Sequence, residues 1–160
     1  MGSNCFINGT AEAPAPFIDD DDTVTFPAQV KYNEMIETEE FDIVGHFDKI
    51  KMHNRNRYFH EEEKWYRDYL METLNLIKEK SLIVEINTRG IYKKRSEDFY
   101  PSTWILPVMH KMNIPVVISS DSHKAEELTL CFKEAEDALK AAGYKETMCF
   151  RNGHFEQIAL

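Results

Sequence analysis

From Ala28 onward the apolar positions follow two alternating periods. Short apolar runs, rich in β-branched residues, read as buried strands over Phe41 to Gly45, Leu82 to Asn87 and Ile114 to Ser119. Between them the spacing turns helical. Over Glu61 to Lys80, residues Trp65, Tyr69, Leu70, Thr73, Leu74 and Ile77 recur on one helical face. Ala28 to Glu37 predicts a helix, as does Thr103 to Met112, with Ser102 as its candidate start. A further helix is predicted from Lys124 or Ala125 to Ala142, stopping at Gly143. Tyr144 to Arg151 and Gly153 to Ile158 then predict a strand and a short return strand. Strands alternating with helices imply an α/β fold of about four parallel βα units. That is too few to close a barrel of the usual eight, and an open sheet would leave an edge.

Residues 1–27 lack this periodicity and are expected to form an irregular N-terminal segment, with the domain over residues 28–160. The segment carries Pro and Ala punctuation beside the run Asp19-Asp20-Asp21-Asp22. Without spaced ligands and a turn glycine, that run reads as a solvated loop, not a calcium site.

Charge narrows the function classes. Lys and Arg total 19 against 28 Asp and Glu, a net charge of −9. Such acidity disfavours a nucleic-acid backbone as partner, although local cations or metals can still receive a phosphorylated small molecule. No apolar run approaches a membrane span, and Met1-Gly2-Ser3-Asn4 lacks the basic start of a signal peptide. Cys5, Cys131 and Cys149 form no CxxC pair and read as reduced thiols, so a cytoplasmic location is expected.

Chemistry concentrates where strands end. Asp121 and His123 follow the Ile114 to Ser119 run, two residues apart, where a carboxylate and an imidazole can reach one cation. His46 and Asp48 follow the Phe41 to Gly45 run in the same way. Asp48 reads as a partner for an imidazole or as a helix cap, and Asp121 or Ser120 also reads as a cap of the following helix. Glu85 lies inside an apolar strand and, facing inward, needs a cation or donors. Arg89 lies just beyond that strand, where a guanidinium can clamp a phosphate or simply pair with a neighbouring carboxylate. His53 sits in a basic loop, while His60 and His110 read as structural. No GxSxG, GxGxxG, GxxxxGK[ST] or HExxH pattern occurs, so nucleophile-elbow, dinucleotide, P-loop and HExxH-protease chemistry lacks support.

Three stretches, Phe41-Asp42-Ile43-Val44-Gly45-His46-Phe47-Asp48, Val84-Glu85-Ile86-Asn87-Thr88-Arg89-Gly90 and Ser119-Ser120-Asp121-Ser122-His123, resemble in order and spacing the motifs of the polymerase and histidinol phosphatase (PHP) family. The likeness is greatest to its histidinol-phosphatase branch. The resemblance implies a distorted (β/α)7 barrel with a cluster of divalent metals, zinc, manganese or iron, at the strand ends. It implies hydrolysis of L-histidinol phosphate to histidinol in histidine biosynthesis. It makes His46, Asp121 and His123 metal ligands and Arg89 a phosphate contact. The chain is expected to represent the C-terminal part of such a barrel, without the full metal site and with little or no activity on its own. The family's first-strand HxH motif is not found, and Gly2-Ser3-Asn4-Cys5 is similar to a GSxH segment with Cys5 in the histidine's place. The alternatives are a non-catalytic remnant, a module that associates with itself or with a separate N-terminal half, and a PHP phosphoesterase with another substrate.

Overall fold

The structure, a computed structural model, describes residues 17–18, 24–25, 27–52, 54 and 56–160, with side chains from Tyr32 onward. Cys5, Asp19 to Asp22 and His53 lie outside the described residues. Strands β1 (Phe17–Ile18) and β2 (Val24–Thr25) pair antiparallel. This is a two-residue ladder within the segment expected to be irregular.

Helix α1 (Pro27–Thr38) leads to β3 (Ile43–Val44), then α2 (Lys64–Glu79), β4 (Ile83–Asn87), the short α3 (Arg89–Tyr92), α4 (Leu106–Lys111) and β5 (Val116–Ser119). The three strands form one parallel sheet in the order β3-β4-β5, with Val44 opposite Val84 and Val84 opposite Val116. All five residues of β4 are buried, as a central parallel strand covered on both faces requires. The helices supply the cover. Tyr66, Leu70, Leu74 and Ile77 of α2, at helical spacing, join Ile36, Val84, Ile86 and Leu106 in one core.

Three elements differ from the sequence expectation. The strand expected over Phe41 to Gly45 shortens to two residues, because the chain turns left-handed at His46 (φ 57°). The long helix expected from Lys124 or Ala125 instead begins as a 3-10 turn, Ala125–Glu127, and restarts as α5 (Phe132–Ala142) after the left-handed Cys131 (φ 61°). The fourth βα unit is absent among the described residues. β6 (Glu146–Arg151) and β7 (His154–Ala159) form a separate antiparallel hairpin. It is tied to β5 by side chains, with Tyr144 donating to the Ile114 carbonyl at 2.9 Å and Thr147 to the Val116 carbonyl at 2.8 Å. Gly143, at φ 105°, ends α5 as expected. The structure is thus α/β with a three-stranded parallel sheet, and barrel closure is not part of what it describes.

One glycine matters to the site. A Cβ on Gly90 would stand 2.9 Å from the ring of the buried Tyr100 and 3.1 Å from Ser96 Cβ. The tight approach seats α3, and with it Arg89, on the loop that follows. Gly90→Ala is expected to cost about 1–3 kcal/mol through overpacking, measured by urea unfolding, since Tyr100 is enclosed and cannot give way.

Candidate functional site

The carboxyl ends of β3, β4 and β5 bring four predicted residues together: His46, Arg89, Asp121 and His123. His46 comes from an edge strand and Asp121 from the other edge, so their side chains meet across the end of β4. His46 Nε2 lies 3.2 Å from Asp121 Oδ2. Both backbones are left-handed at these residues, with φ 57° and 47°. Such strain in non-glycine residues persists only where surrounding contacts hold it. At His46 the holding contact is Glu85, whose Oε2 accepts the His46 amide at 2.9 Å. Glu85 therefore does face inward and finds a donor, as its place inside an apolar strand required. Tyr32 adds a hydrogen bond from its hydroxyl to the Gly45 carbonyl at 2.8 Å.

Arg89 fills the space between Asp121 and His123. Its Nη1 donates to the Asp121 carbonyl and lies 2.6 Å from His123 Nδ1. Its Nε is 3.8 Å from Asp121 Oδ2, and Nη1 is 3.9 Å from Glu127 Oε2. The carboxylate pairing expected for Arg89 is present, and with two partners. His123 Nδ1 also lies 2.9 Å from the Asp121 carbonyl, and the His123 side chain is 63% exposed.

Glu127 organises the far side of this group. Its carboxylate accepts the His123 amide at 3.2 Å, pairs with the Lys93 ammonium and approaches the Tyr92 hydroxyl at 3.5 Å. The Lys93 hydrogen bond, followed by the His123 amide, holds its carboxyl down at about 2. The Tyr92 hydroxyl is raised by burial and donates to the Ser120 carbonyl at 2.7 Å. Glu127 was not singled out in the sequence, where it reads as an ordinary first-turn acid of a long helix. Its signal, an acid four residues after His123, is also that of a solvated helix turn.

Asp48 stands at the start of the 3-10 turn Lys49–Lys51 but does not cap it by its side chain, and among the described residues it partners no imidazole. It lies on the opposite side of the turn, where Oδ2 is 3.1 Å from the Lys51 ammonium and accepts the Ser102 amide at 2.9 Å. Ser102 itself does not cap a helix by its side chain, and its hydroxyl donates to Glu61 at 2.6 Å. Burial pushes the Asp48 carboxyl up to about 6 against the pull of Lys51. Nor does Asp121 or Ser120 cap the following 3-10 turn, whose flanking residue is Lys124. His60 precedes α2, His110 lies in α4, and neither joins the strand-end group.

The donor geometry can be set against a divalent metal. Ligands to zinc lie about 2.0–2.2 Å from the ion when they are imidazole or carboxylate. Two such donors on one tetrahedral ion stand about 3.4 Å apart, so the 3.2 Å between His46 Nε2 and Asp121 Oδ2 is within a few tenths of an ångström of a shared cation's spacing. His123 is not yet part of that pair, because Nδ1 is turned to Arg89 and lies 3.9 Å from Asp121 Oδ1. Among the described residues no group of three His, Cys, Asp or Glu side chains converges on one point. The residues present thus fit a cation as a two-donor set with one exposed imidazole beside it.

A scan against protein-family models gives no match, and a search of curated proteins gives none either. Solved structures do match. A histidinol phosphate phosphatase from Lactococcus lactis, complexed with zinc, L-histidinol and phosphate, aligns with a TM-score of 0.60 and 25% identity, covering 81% of this chain and 51% of its own. The crystal structure of a Listeria monocytogenes protein assigned as a histidinol phosphatase aligns with a TM-score of 0.60 and 21% identity, covering 67% of this chain and 43% of its own. The chain thus spans about half the length of the structures it matches. The resemblance drawn from the three sequence motifs is borne out by the Lactococcus lactis neighbour, and the Listeria monocytogenes neighbour shows the same fold. Among the described residues no helix is long and apolar enough to cross a membrane.

Proposed function

We propose, from this likeness, that the chain carries part of a metal-dependent phosphomonoester hydrolase whose substrate is L-histidinol phosphate. His46, Asp121 and His123 would hold a divalent cation, and Arg89 would contact the phosphate. The observation that carries the reading is the 3.2 Å approach of an imidazole nitrogen and a carboxylate oxygen across the end of β4. Zinc, manganese and iron all suit a mixed imidazole and carboxylate set. When bound, such a cation supplies an acidified water and neutralises charge on phosphate oxygens.

The chain's own residues account for the rest of the arrangement. Glu85 fixes the His46 backbone, so the imidazole keeps its direction toward Asp121 without an ordering cost at each turnover. Asp121 and Glu127 flank the Arg89 guanidinium and hold its plane in one orientation. A planar fork of this kind matches two oxygens of one phosphate group. The small phosphorylated ligand is supported by the L-histidinol and phosphate bound in the Lactococcus lactis neighbour.

The test is release of inorganic phosphate by the full chain, with zinc or manganese, from L-histidinol phosphate and from p-nitrophenyl phosphate. L-histidinol phosphate is expected to be the better substrate. Activity is expected to vanish with a chelator and return with metal. A preference for the aryl ester would refute the substrate, and chelator-resistant hydrolysis would refute the metal. A second reading, a non-catalytic relative that keeps these residues as structure, is favoured by one contact, the seating of Arg89 Nη1 on His123 Nδ1. Metal content unchanged by His123→Ala, with no hydrolysis, would support it.

A further inference from the structure

His123 meets two neighbours that require opposite things of its ring. Nδ1 lies 2.6 Å from Arg89 Nη1 and 2.9 Å from the Asp121 carbonyl, and Nη1 itself donates to that carbonyl. A guanidinium has only donors and keeps its charge, so Nδ1 meets Nη1 only as an acceptor. The carbonyl has only lone pairs, so it holds Nδ1 only when that nitrogen bears the proton. A neutral imidazole has one N–H and one lone pair, and Nδ1 cannot serve both neighbours. With Arg89 seated, the proton is therefore on Nε2.

Nε2 is the nitrogen left for a ligand. The ring is largely exposed, and among the described residues Nε2 has no hydrogen-bond partner. A protonated Nε2 has no lone pair to offer a cation. A ligating histidine donates its other N–H to a carbonyl or carboxylate, and the Asp121 carbonyl stands ready beside Nδ1 for that purpose. Nδ1–H can use it once Nη1 withdraws.

The surroundings permit that exchange. The His123 amide donates to Glu127 Oε2 at 3.2 Å, so the backbone stays in place. The other Arg89 side-chain contacts are long: Nε is 3.8 Å from Asp121 Oδ2, and Nη1 is 3.5 Å from the Tyr92 hydroxyl and 3.9 Å from Glu127 Oε2. Among the described residues Nη2 has no partner. An oxyanion that takes Nη1 and Nη2 as a fork draws Nη1 off the imidazole.

We propose that Arg89 is a positioning residue that sets the tautomer of His123. Seated on Nδ1, it keeps the proton on Nε2 and closes His123 to the cation. Withdrawn by a phosphate group, it lets Nδ1–H turn to the Asp121 carbonyl and opens the Nε2 lone pair. The ring's charge does not change, because Nε2 gives one proton to water as Nδ1 takes one. Cation and phosphate then favour each other's binding, and to the same degree. That the oxyanion is the substrate's phosphate rests on the phosphatase reading above, whereas the control of the tautomer by Arg89 does not.

The experiment reads the His123 ring by two-bond nitrogen–proton NMR correlations in the full metal-free chain, about two pH units above the ordinary imidazole value, with His123→Gln assigning the signal. The parent is expected to be Nε2–H. Arg89→Met, and separately saturating inorganic phosphate on the parent, are each expected to move most of the population to Nδ1–H. A ring that stays Nε2–H in either case overturns the proposal, and the phosphate arm needs no variant. Zinc affinity, read by chelator competition, is expected to rise at least about fivefold in Arg89→Met, and not to rise when Arg89→Met is made in a His123→Gln background. An equal rise in both backgrounds would be the loss of a repelling charge alone and would contradict the proposal. A tautomer governed by Arg89 in a chain that hydrolyses no monoester would leave this control standing and remove the enzymatic reading. Hydrolysis of L-histidinol phosphate with a tautomer indifferent to Arg89→Met would do the reverse.

Discussion

Replacing Asp48 with alanine is expected to lower the free energy of unfolding by about 3–5 kcal/mol, the usual cost of stranding one half of a buried ion pair. The Lys51 and Asp48 side chains are only 3% and 0% exposed. With its carboxyl at about 6, Asp48 is mostly ionised at neutral pH and is the counter-charge Lys51 depends on. Its Oδ2 also receives the Ser102 amide, and Ser102 and Trp104 both donate to Glu61. Alanine therefore removes a charge and orphans a buried amide in the loop that packs beneath the His46 turn. The double variant Asp48→Ala/Lys51→Met should recover the part of the loss that comes from the stranded Lys51 charge, while the cost of the orphaned Ser102 amide remains. Urea unfolding of the parent, single and double variants checks this. A single-variant loss below about 1 kcal/mol would mean that the pair is solvated like a surface one.

The second large effect concerns activity. His46→Ala and Asp121→Ala are each expected to reduce kcat for phosphate release at least about 100-fold, because even the partners that orient metal ligands are worth 10–100-fold. The two should be far from additive, since either one alone dissolves the two-donor set. Stability separates this from misfolding. Asp121 is half-buried and lies beyond the end of β5, outside the core, but its backbone is left-handed, so Asp121→Asn, which tolerates that conformation, is the variant expected to leave the urea midpoint nearly unchanged. His46 is more enclosed, and His46→Gln serves as the milder comparison. Inactive but stable variants are the expected outcome, and variants that retain activity would remove His46 and Asp121 from the chemistry.

Much of this architecture was legible because burial imposes simple periods. The apolar run through β4 and the α2 stripe of Leu70, Leu74 and Ile77 mark a central strand and its covering helix directly. The strand ends were legible for the same reason, and His46, Arg89, Asp121 and His123 converge because each follows a parallel strand in register. What was hidden depends on backbone handedness and on long-range pairing. The left-handed Cys131 splits one predicted helix into a 3-10 turn and α5, and nothing in the surrounding helical spacing marks that break. The Asp48 contact with the Ser102 amide spans 54 residues and is invisible in local spacing, while the i,i+3 pair with Lys51 reads in sequence as a solvated one. Glu127 was passed over because an acid in a first turn is an ordinary solvated position. Only the fold shows that Glu127 stands against Arg89 and Lys93.

The central claim is that His46 and Asp121 hold one cation between them. Equilibrium zinc binding to the full chain, read by competition with a coloured chelator, tests it most directly. The account predicts about one zinc shared by those two side chains, with affinity falling at least about tenfold in His46→Ala and in Asp121→Ala. Zinc affinity that is indifferent to both His46→Ala and Asp121→Ala would contradict it.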